Sequence, residues 1–380
     1  MIVIENKYMC TGCYSCYNIC PFDCIAMNID IEGFWYPVID NERCNQCGMC
    51  RQVCPVLHQQ IVDNNPKAYA CINKNESVRR KSSSGGVFAL ISEAVINQGG
   101  IVFGAKFDED FFVSHYCAET PEENEEFRGS KYIQSKIGDS YNQARFFLDQ
   151  GRKVLFSGTP CQIGGLQSYL GKNYEQLFCV DFICHGVPSP KVWQYYLKYR
   201  IDNASSPISK VVFRNKDKGW KSYSILFKFL NGTEYRQTRY QDLYIRAYLK
   251  NICLRPSCYN CVFKTLHRQS DITLADFWGI QNVLPEMDDD KGTSLVIVNS
   301  SRGEVMLNKI ANKIIFKEID LKQAVAYNST ALKSVSVHPK RKGFFEELDV
   351  MPFDELVNKH CTDHFSARLK QILKYFRITR

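Results

Sequence analysis

The segment CTGCYSCYNICP, residues 10–21, decides how the N-terminal part of this chain folds. Its four cysteines follow the spacing C-x2-C-x2-C-x3-C, and a proline comes directly after the fourth. The segment CNQCGMCRQVCP, residues 44–55, repeats the same spacing. Three closely spaced thiolates wrap one face of an iron–sulfur cube, so the fourth ligand must come from elsewhere in the chain. The double motif therefore predicts two clusters whose ligand sets are interleaved.

This arrangement is typical of bacterial ferredoxins, in which each fourth cysteine serves the other 4Fe–4S cluster. Zinc is the alternative because it also binds C-x2-C pairs, but a zinc site closes with four ligands. Cys24 has no place in either set; we interpret it as a packing residue, with cluster tuning or conversion as the alternative. Within a domain of residues 1–62, the predicted sets are Cys10, Cys13, Cys16 and Cys54 for one cluster, and Cys44, Cys47, Cys50 and Cys20 for the other.

Composition narrows the class of protein. The 380 residues suggest two or three domains. Eighteen clustered cysteines without an export signal favour thiolate ligands in a reducing cytoplasm over disulfides. The longest apolar runs fall far short of the ~20 residues that span a membrane. A net charge of +8 is modest for this length and does not indicate nucleic acid.

Beyond a turn-rich linker, the chain alternates strand and helix patterns. We predict an α/β (α+β) domain that begins near residue 66, with polar loops at the strand ends where ligands usually bind. Within it, residues 222–237 are predicted to form two antiparallel strands that turn at Asn231-Gly232. Residues 346–380 are predicted to form a C-terminal helical tail.

Three loops carry the candidate site residues. Ser82–Gly86 opens a helix, where free N–H groups suit an anion such as a flavin pyrophosphate, although an ordinary serine N-cap is the alternative. Arg79, Arg80 and Lys81 just upstream favour the phosphate. Cys161, at a helix start, is a candidate ligand, reactive thiol or buried residue. His185 follows Cys184 in the matching loop of the next unit and is a candidate for cofactor or substrate contact.

Cys253, Cys258 and Cys261 suggest a third cluster. Their C-x4-C-x2-C spacing is that of plant-type ferredoxins, which need a distant fourth cysteine. Cys161 and Cys184 are the candidates for that ligand, and zinc is the alternative metal. The remaining cysteines lack metal-like spacing and are predicted to be packing residues: Cys71, Cys117, Cys179 and Cys361.

Six segments in this order resemble the beta subunit family of coenzyme F-420 hydrogenase and dehydrogenase, over roughly residues 66–345. The segments are SSSGGVF, FRGSKYIQSK, SGTPCQIGGL, DFICHGVPSP, RPSCYNC and DITLADFWGI. The resemblance implies a flavoprotein-like domain over residues 66–345 that binds FAD and a third 4Fe–4S cluster. It also implies electron transfer between the clusters and the deazaflavin coenzyme through the flavin. It implies a flavin or phosphate site at Ser84, Gly85, Gly86, Ser130, Lys131, Thr159 and Gln162. It also implies a redox centre near Cys161, Cys184 and His185, with Cys258 and Cys261 as a cluster pair.

Three classes of function follow from these observations. The first is an iron–sulfur flavoprotein oxidoreductase that acts on coenzyme F-420. The second is a related reductase with another acceptor, for example one in a glycan pathway. The third is a ferredoxin-like protein that only delivers electrons. Flavin binding separates the third class from the other two, and reduction of the deazaflavin separates the first from the second.

The last residues suggest a partner surface. Apolar side chains fall on one helical face and basic ones decorate the rest. A terminal helix packed on the core is one interpretation, and docking to an acidic partner or an anionic membrane surface is the other. A redox partner protein or another oxidoreductase subunit is expected in either case. The apolar face comprises Phe365, Leu369, Ile372, Leu373 and Phe376, and the basic residues are Arg368, Lys370, Lys374, Arg377 and Arg380.

Overall fold

A computed structural model describes residues 2–362 of the chain, and this part is a mixed α/β structure with a small N-terminal domain. Its strands are β1 (Ile25–Ile29), β2 (Trp35–Ile39), β3 (Lys67–Asn73), β4 (Ile101–Phe107), β5 (Val113–Ala118), β6 (Val154–Ser157), β7 (Leu177–Phe182), β8 (Ile208–Asn215), β9 (Ser224–Phe229), β10 (Glu234–Thr238), β11 (Ile272–Asp276), β12 (Ser294–Val298) and β13 (Ile314–Ile319). Its α-helices are α1 (Ser15–Asn18), α2 (Met49–Gln52), α3 (Glu76–Lys81), α4 (Val87–Ile96), α5 (Pro121–Glu125), α6 (Ser140–Asp149), α7 (Pro160–Leu170), α8 (Pro190–Ala204), α9 (Leu243–Leu249), α10 (Ile280–Val283), α11 (Ser301–Ile310), α12 (Leu321–Val325), α13 (Arg341–Glu347) and α14 (Phe353–Cys361).

An eight-stranded sheet forms the centre of the larger half, in the order β13-β3-β12-β11-β7-β6-β4-β5. Strands β4, β6, β7 and β11 run parallel, whereas β12 and β5 pair antiparallel to their neighbours. The parallel strands are apolar and largely buried, as expected for strands covered on both faces. Their carboxyl ends meet at one edge, which is where ligands bind in sheets of this type.

The N-terminal domain consists of the β1–β2 hairpin and the short helices α1 and α2. Helix α1 lies against α7 of the larger half. The cysteine motifs occupy the loops around α1 and α2, where tight turns rather than long regular elements present the thiols.

A second, three-stranded sheet has the order β10-β9-β8 and packs in an aromatic core with α8, α9 and the C-terminal helices. The predicted hairpin at Asn231-Gly232 is confirmed by the antiparallel pair β9–β10. Phe344, Phe353 and Leu356 from α13 and α14 join this core. The predicted boundary between residues 345 and 346 therefore lies inside α13. The amphipathic segment predicted from Phe365 onward lies outside the described residues.

No helix in residues 2–362 is both long enough and apolar enough to cross a membrane.

Candidate functional site

The structure brings the first predicted ligand set together. Burial, followed by repulsion from Cys54 and Cys10, raises the pKa of the Cys13 thiol. Burial and then repulsion from Cys13, Cys10 and Cys54 raises the pKa of Cys16 as well. Cys54 belongs to the second motif, so the two motifs are crossed in space. This donor set fits a 4Fe–4S cluster.

The second set lies around one small depression near α2. Cys24 occupies the same place: it is 4% exposed, and its Sγ lies 3.3 Å from Cys20 Sγ. It is therefore a buried neighbour of this set. The thiols that line the depression are Cys20, Cys24, Cys44, Cys47 and Cys50.

A third group of cysteines forms within the larger half. Burial, followed by repulsion from Cys261, Cys184 and Cys258, raises the pKa of Cys161. Cys161 lies in the first turn of α7, and Cys184 follows β7. Cys258 lies in the 3₁₀ helix Pro256–Asn260 and accepts a hydrogen bond from the Val187 N–H at 3.4 Å. Four thiols from three separate loops thus converge, and this donor set also fits an iron–sulfur cluster.

Cys253 lies elsewhere, although its sequence spacing placed it in the predicted third set. It is fully buried in the aromatic core. Burial and then repulsion from Cys361, rather than from the third group, raise the pKa of its thiol.

Zinc holds four thiolates at about 2.3 Å from one ion. Within residues 2–362, no three His, Cys, Asp or Glu side chains converge closely enough for a single metal ion.

A cavity of about 640 Å³ opens at the carboxyl edge of the large sheet. This volume lies in the usual range for cofactor and ligand sites. Gly85 is not among the lining residues, since it packs against Cys71 O and Ser294. Cys161 does not line the cavity either. The predicted site residues that do line it are Ser84, Gly86, Ser130, Lys131, Thr159, Gln162, Cys184 and His185.

Two of the predicted loops meet at the cavity. Ser83 Oγ accepts a hydrogen bond from the Ser130 N–H at 2.6 Å and lies 2.9 Å from Ser130 Oγ. Gly86 is the N-cap residue of α4, with a left-handed φ of 84° that glycine adopts at little cost. The alternative of an ordinary serine N-cap is therefore wrong, since no side chain within residues 2–362 caps this helix. Its first N–H groups face the cavity edge and suit an anion.

The basic run before this loop has a structural role. Arg79 is 2% exposed and forms two hydrogen bonds to the Asp289 carboxylate, at 2.6 and 2.7 Å. Lys216 Nζ donates to Ser84 O at 3.0 Å and to Arg79 O at 2.7 Å. Neither Arg80 nor Lys81 lines the cavity. Arg79 thus helps to anchor the serine loop, and none of the three basic residues lines the cavity.

Other basic side chains do line the cavity. Lys131 Nζ donates to the carbonyl oxygens of Glu126, Arg128 and Gly129 at 2.9–3.3 Å. Burial lowers the pKa of Lys131 to about 7. Arg214 forms an ion pair with Asp276 at 3.0 Å. In the part of the chain that the structure describes, the basic residues that line the cavity are Arg128, Lys131, Arg214 and Arg239.

Several buried polar atoms of lining residues have no hydrogen-bond partner within residues 2–362. Such atoms are costly to leave unsatisfied, but they are closed off from the cavity and do not identify its ligand. The lining cations and the open helix terminus give the cavity affinity for anionic groups. It therefore suits a large phosphate-bearing ligand. The unsatisfied atoms are His115 Nδ1, Arg128 Nε, Asp181 Oδ1, Arg214 Nε and Arg239 Nε.

Thr159 and Gln162 are held by the start of α7. Together they form a capping box, and Gln162 Oε1 accepts a hydrogen bond from the Thr159 N–H at 2.9 Å. Gln162 Nε2 donates to Ser135 Oγ at 2.9 Å. These contacts occupy most of the hydrogen-bonding groups of the Gln162 side chain. Its main effect is therefore to hold the loop that carries Cys161 in place.

Two histidines border the cavity. His185 Nε2 lies 2.6 Å from Asn251 Oδ1, and burial lowers its pKa. His115 is also buried, which lowers its pKa to about 4. Because His115 Nε2 lies 2.9 Å from Ser157 O, that nitrogen carries the proton and Nδ1 is an acceptor. No sequence signal marked His115, which sits in β5 like any strand residue.

The arginines of the cavity were also missed from sequence. Arg128 directly precedes the Gly-Ser-Lys segment, and this adjacency is the one available signal. Arg214 and Arg239 lie at or after strands of the smaller sheet, where polar residues alternate with apolar ones as on any solvated face. These two arginines line the cavity only because the smaller sheet packs beside it.

Comparison with known proteins identifies two matching family models. Residues 151–323 match the model for the carboxy-terminal part of the beta subunit of coenzyme F420 hydrogenase/dehydrogenase. Residues 9–57 match the model for the 4Fe-4S dicluster domain.

Individual relatives agree with these matches. A subunit of the F(420)H(2) dehydrogenase of Methanosarcina mazei is 22% identical over 279 residues, which cover 69% of this chain and 75% of the relative. The 7Fe ferredoxin of Hydrogenibacillus schlegelii is 39% identical over 82 residues, which cover 21% of this chain and 96% of the relative. Among solved structures, one chain of the F420-reducing NiFe hydrogenase complex from Methanosarcina barkeri is 17% identical with a TM-score of 0.46. That comparison covers 79% of this chain and 95% of the other.

Proposed function

Because this chain belongs to the coenzyme F420 hydrogenase/dehydrogenase beta subunit family and carries a 4Fe–4S dicluster domain, we propose that it is an iron–sulfur flavoprotein oxidoreductase. It passes electrons between its clusters and a hydride carrier. Bound clusters exchange single electrons, and a bound flavin exchanges either single electrons or a hydride equivalent. The residues of the chain position these groups.

One observation carries the proposal: Cys184 lines the cavity and also belongs to the third cysteine group. A cofactor in the cavity therefore lies directly against a metal centre held by that group. We take Cys161 in place of Cys253 as its fourth ligand, because Cys161 lies with Cys184, Cys258 and Cys261 in space. Cys161 is thus assigned to metal binding rather than to catalysis.

A short route also links this centre to the ferredoxin domain. Ser15 Oγ lies 3.3 Å from Cys13 Sγ and donates to Gly165 O at 2.9 Å. Gly165 lies four residues after Cys161 in α7, which is about 6 Å of helical rise. The order first cluster, third cluster, cavity therefore follows from contacts between neighbouring residues.

The cavity residues divide the binding task. The open N-terminus of α4 and Ser130 hold the phosphate groups of FAD. Lys131 spends its three N–H donors on backbone carbonyls and therefore holds the loop that presents Ser130. Arg214 is fixed by Asp276 and completes the positive wall. Coenzyme F420 is the hydride carrier to test first, because the matched family and the Methanosarcina mazei relative carry its name. We also propose a partner oxidoreductase subunit as the other redox partner.

The test is anaerobic purification followed by measurement of iron, zinc and flavin. We expect about twelve irons and one flavin per chain for three four-iron clusters. We also expect the loaded protein to reduce coenzyme F420 once dithionite has supplied electrons to its clusters. Cys258→Ser and Cys161→Ser should each leave about eight irons. Cys253→Ala is the matched control, and it should retain the full iron content. About eight irons and no flavin in the wild-type protein would contradict the proposal and favour an electron-delivery protein.

A further inference from the structure

Arg255 is a fully buried cation between the ferredoxin domain and the larger half. Its Nε donates to Cys10 O at 2.8 Å, and one Nη donates to Cys10 Sγ at 3.5 Å. Its carbonyl oxygen accepts from the Cys258 N–H at 2.9 Å. One residue therefore contacts a ligand of the first group through its side chain and a ligand of the third group through its backbone.

Among the described residues, 2–362, no carboxylate pairs with this guanidinium. Its remaining acceptors within residues 2–362 are neutral, namely Trp35 O at 3.0 Å and Gln134 Oε1 at 3.2 Å. The ring of Tyr36 lies 4.2 Å from the guanidinium carbon and is likewise uncharged. A buried charge is expensive unless an opposite charge compensates it. The opposite charge at hand is that of the cysteine thiolates beside it.

The local sequence makes room for this contact. Gly12 adopts a φ of +66°, and a Cβ at this position would lie 2.9 Å from Arg255 Nη1 and 3.0 Å from its Cζ. A side chain at residue 12 would therefore displace the guanidinium from the loop that presents Cys10 and Cys13. The glycine of the first cysteine motif therefore leaves the space that the Arg255 side chain occupies.

We propose that Arg255 is a positioning residue that sets the reduction potential of the cluster held by Cys10, Cys13, Cys16 and Cys54; this inference rests on the proposed function. Four thiolates make that site anionic, and an added electron increases its negative charge. A buried cation against Cys10 stabilises the reduced form more than the oxidised form. It therefore favours an electron on the cluster that adjoins the third group.

The experiment is an anaerobic redox titration of the full-length protein, followed by electron paramagnetic resonance. Arg255→Gln should lower the equilibrium constant for reduction of one cluster at least tenfold, which is about 59 mV for a one-electron couple. Gln134→Glu places a carboxylate against the same guanidinium and should shift the potential in the same direction. Arg255→Lys keeps the charge and should restore most of the wild-type potential.

Arg51→Gln is the matched control, because it removes the same charge beside the ligand Cys50 from an exposed position. Its shift should be well under tenfold, since solvent screens exposed charges. Iron content separates the two hypotheses: a wild-type protein without the ferredoxin clusters defeats the proposed function. Full iron with unchanged potentials in Arg255→Gln and Gln134→Glu overturns the role of Arg255. If Arg255→Gln does not retain its iron, the reduction potential of Gln134→Glu by itself tests the role of Arg255.

Discussion

The contact between Gly165 and the ferredoxin domain is tight enough to test by adding one methyl group. In Gly165→Ala, the new Cβ would lie 2.7 Å from Ser15 Oγ, 2.9 Å from Tyr141 Oη and 3.0 Å from Cys13 Cβ. Ordinary contact begins at 3.4 Å, so these neighbours must retreat by about 0.4–0.7 Å in an interior that compresses little.

The expected loss follows from two opposing effects. Overpacking costs about 1–3 kcal/mol, whereas replacing glycine by alanine inside a helix contributes about 1 kcal/mol of stability. The net effect is a loss of about 1 kcal/mol, concentrated at the contact between α1 and α7. We expect about fivefold faster amide hydrogen exchange in residues 9–24 of the iron-loaded protein.

Gly164→Ala is the matched control. It lies in the same helix, gains the same helix propensity, and meets Phe263 Cε1 at 2.7 Å within the larger half. Hydrogen exchange of residues 9–24 should therefore remain at the wild-type rate. Equal protection in Gly165→Ala and the wild type, or equal loss in both variants, would refute the argument that Gly165 holds the two halves together.

Three further predictions concern the cavity and its supports. Asp289→Asn leaves the buried Arg79 guanidinium without its main anion and should lower the free energy of unfolding by about 2 kcal/mol in anaerobic denaturant titrations. Asp217→Asn removes two solvent-exposed ion pairs, with Arg80 and Arg236, and should cost under about 1 kcal/mol. Because the pKa of Lys131 falls to about 7 on folding, the unfolded chain binds more protons between pH 7 and the ordinary lysine pKa. Wild-type stability should thus rise with pH over this window relative to Lys131→Met, whereas a constant difference in melting temperature would show that the three carbonyl acceptors keep the ammonium charged. Arg214→Lys keeps the charge but loses the planar fork that reaches Asp276 and Ser83 O. Flavin affinity, measured by fluorescence quenching, should fall about tenfold for the loss of about one charged hydrogen bond, and unchanged affinity would remove Arg214 from the site.

Local sequence determined much of the secondary structure and of the ligand pattern. A turn of a few residues fixes the spacing of C-x2-C thiols, so three ligands of each ferredoxin set could be identified without a fold. The helix α4 and the Asn231-Gly232 hairpin were likewise determined by local sequence and turn chemistry. Ser84, Ser130 and Lys131 could be selected because they belong to motifs shared with a family.

Tertiary structure decided the rest, because those choices depend on residues far apart in the chain. From the sequence alone, Cys253 and Cys161 are equally plausible ligands of the third group. The sheet order places Cys161 near Cys184, whereas Cys253 is buried in the aromatic core. Arg79 and Arg214 are both buried arginines near the serine loop, but only the packing of the smaller sheet turns Arg214 into the cavity. Arg255 becomes a partner of Cys10 only when the two halves meet. The spacing of residues within one turn determines which side chains that turn brings together. The topology of the whole fold determines which distant residues those side chains contact.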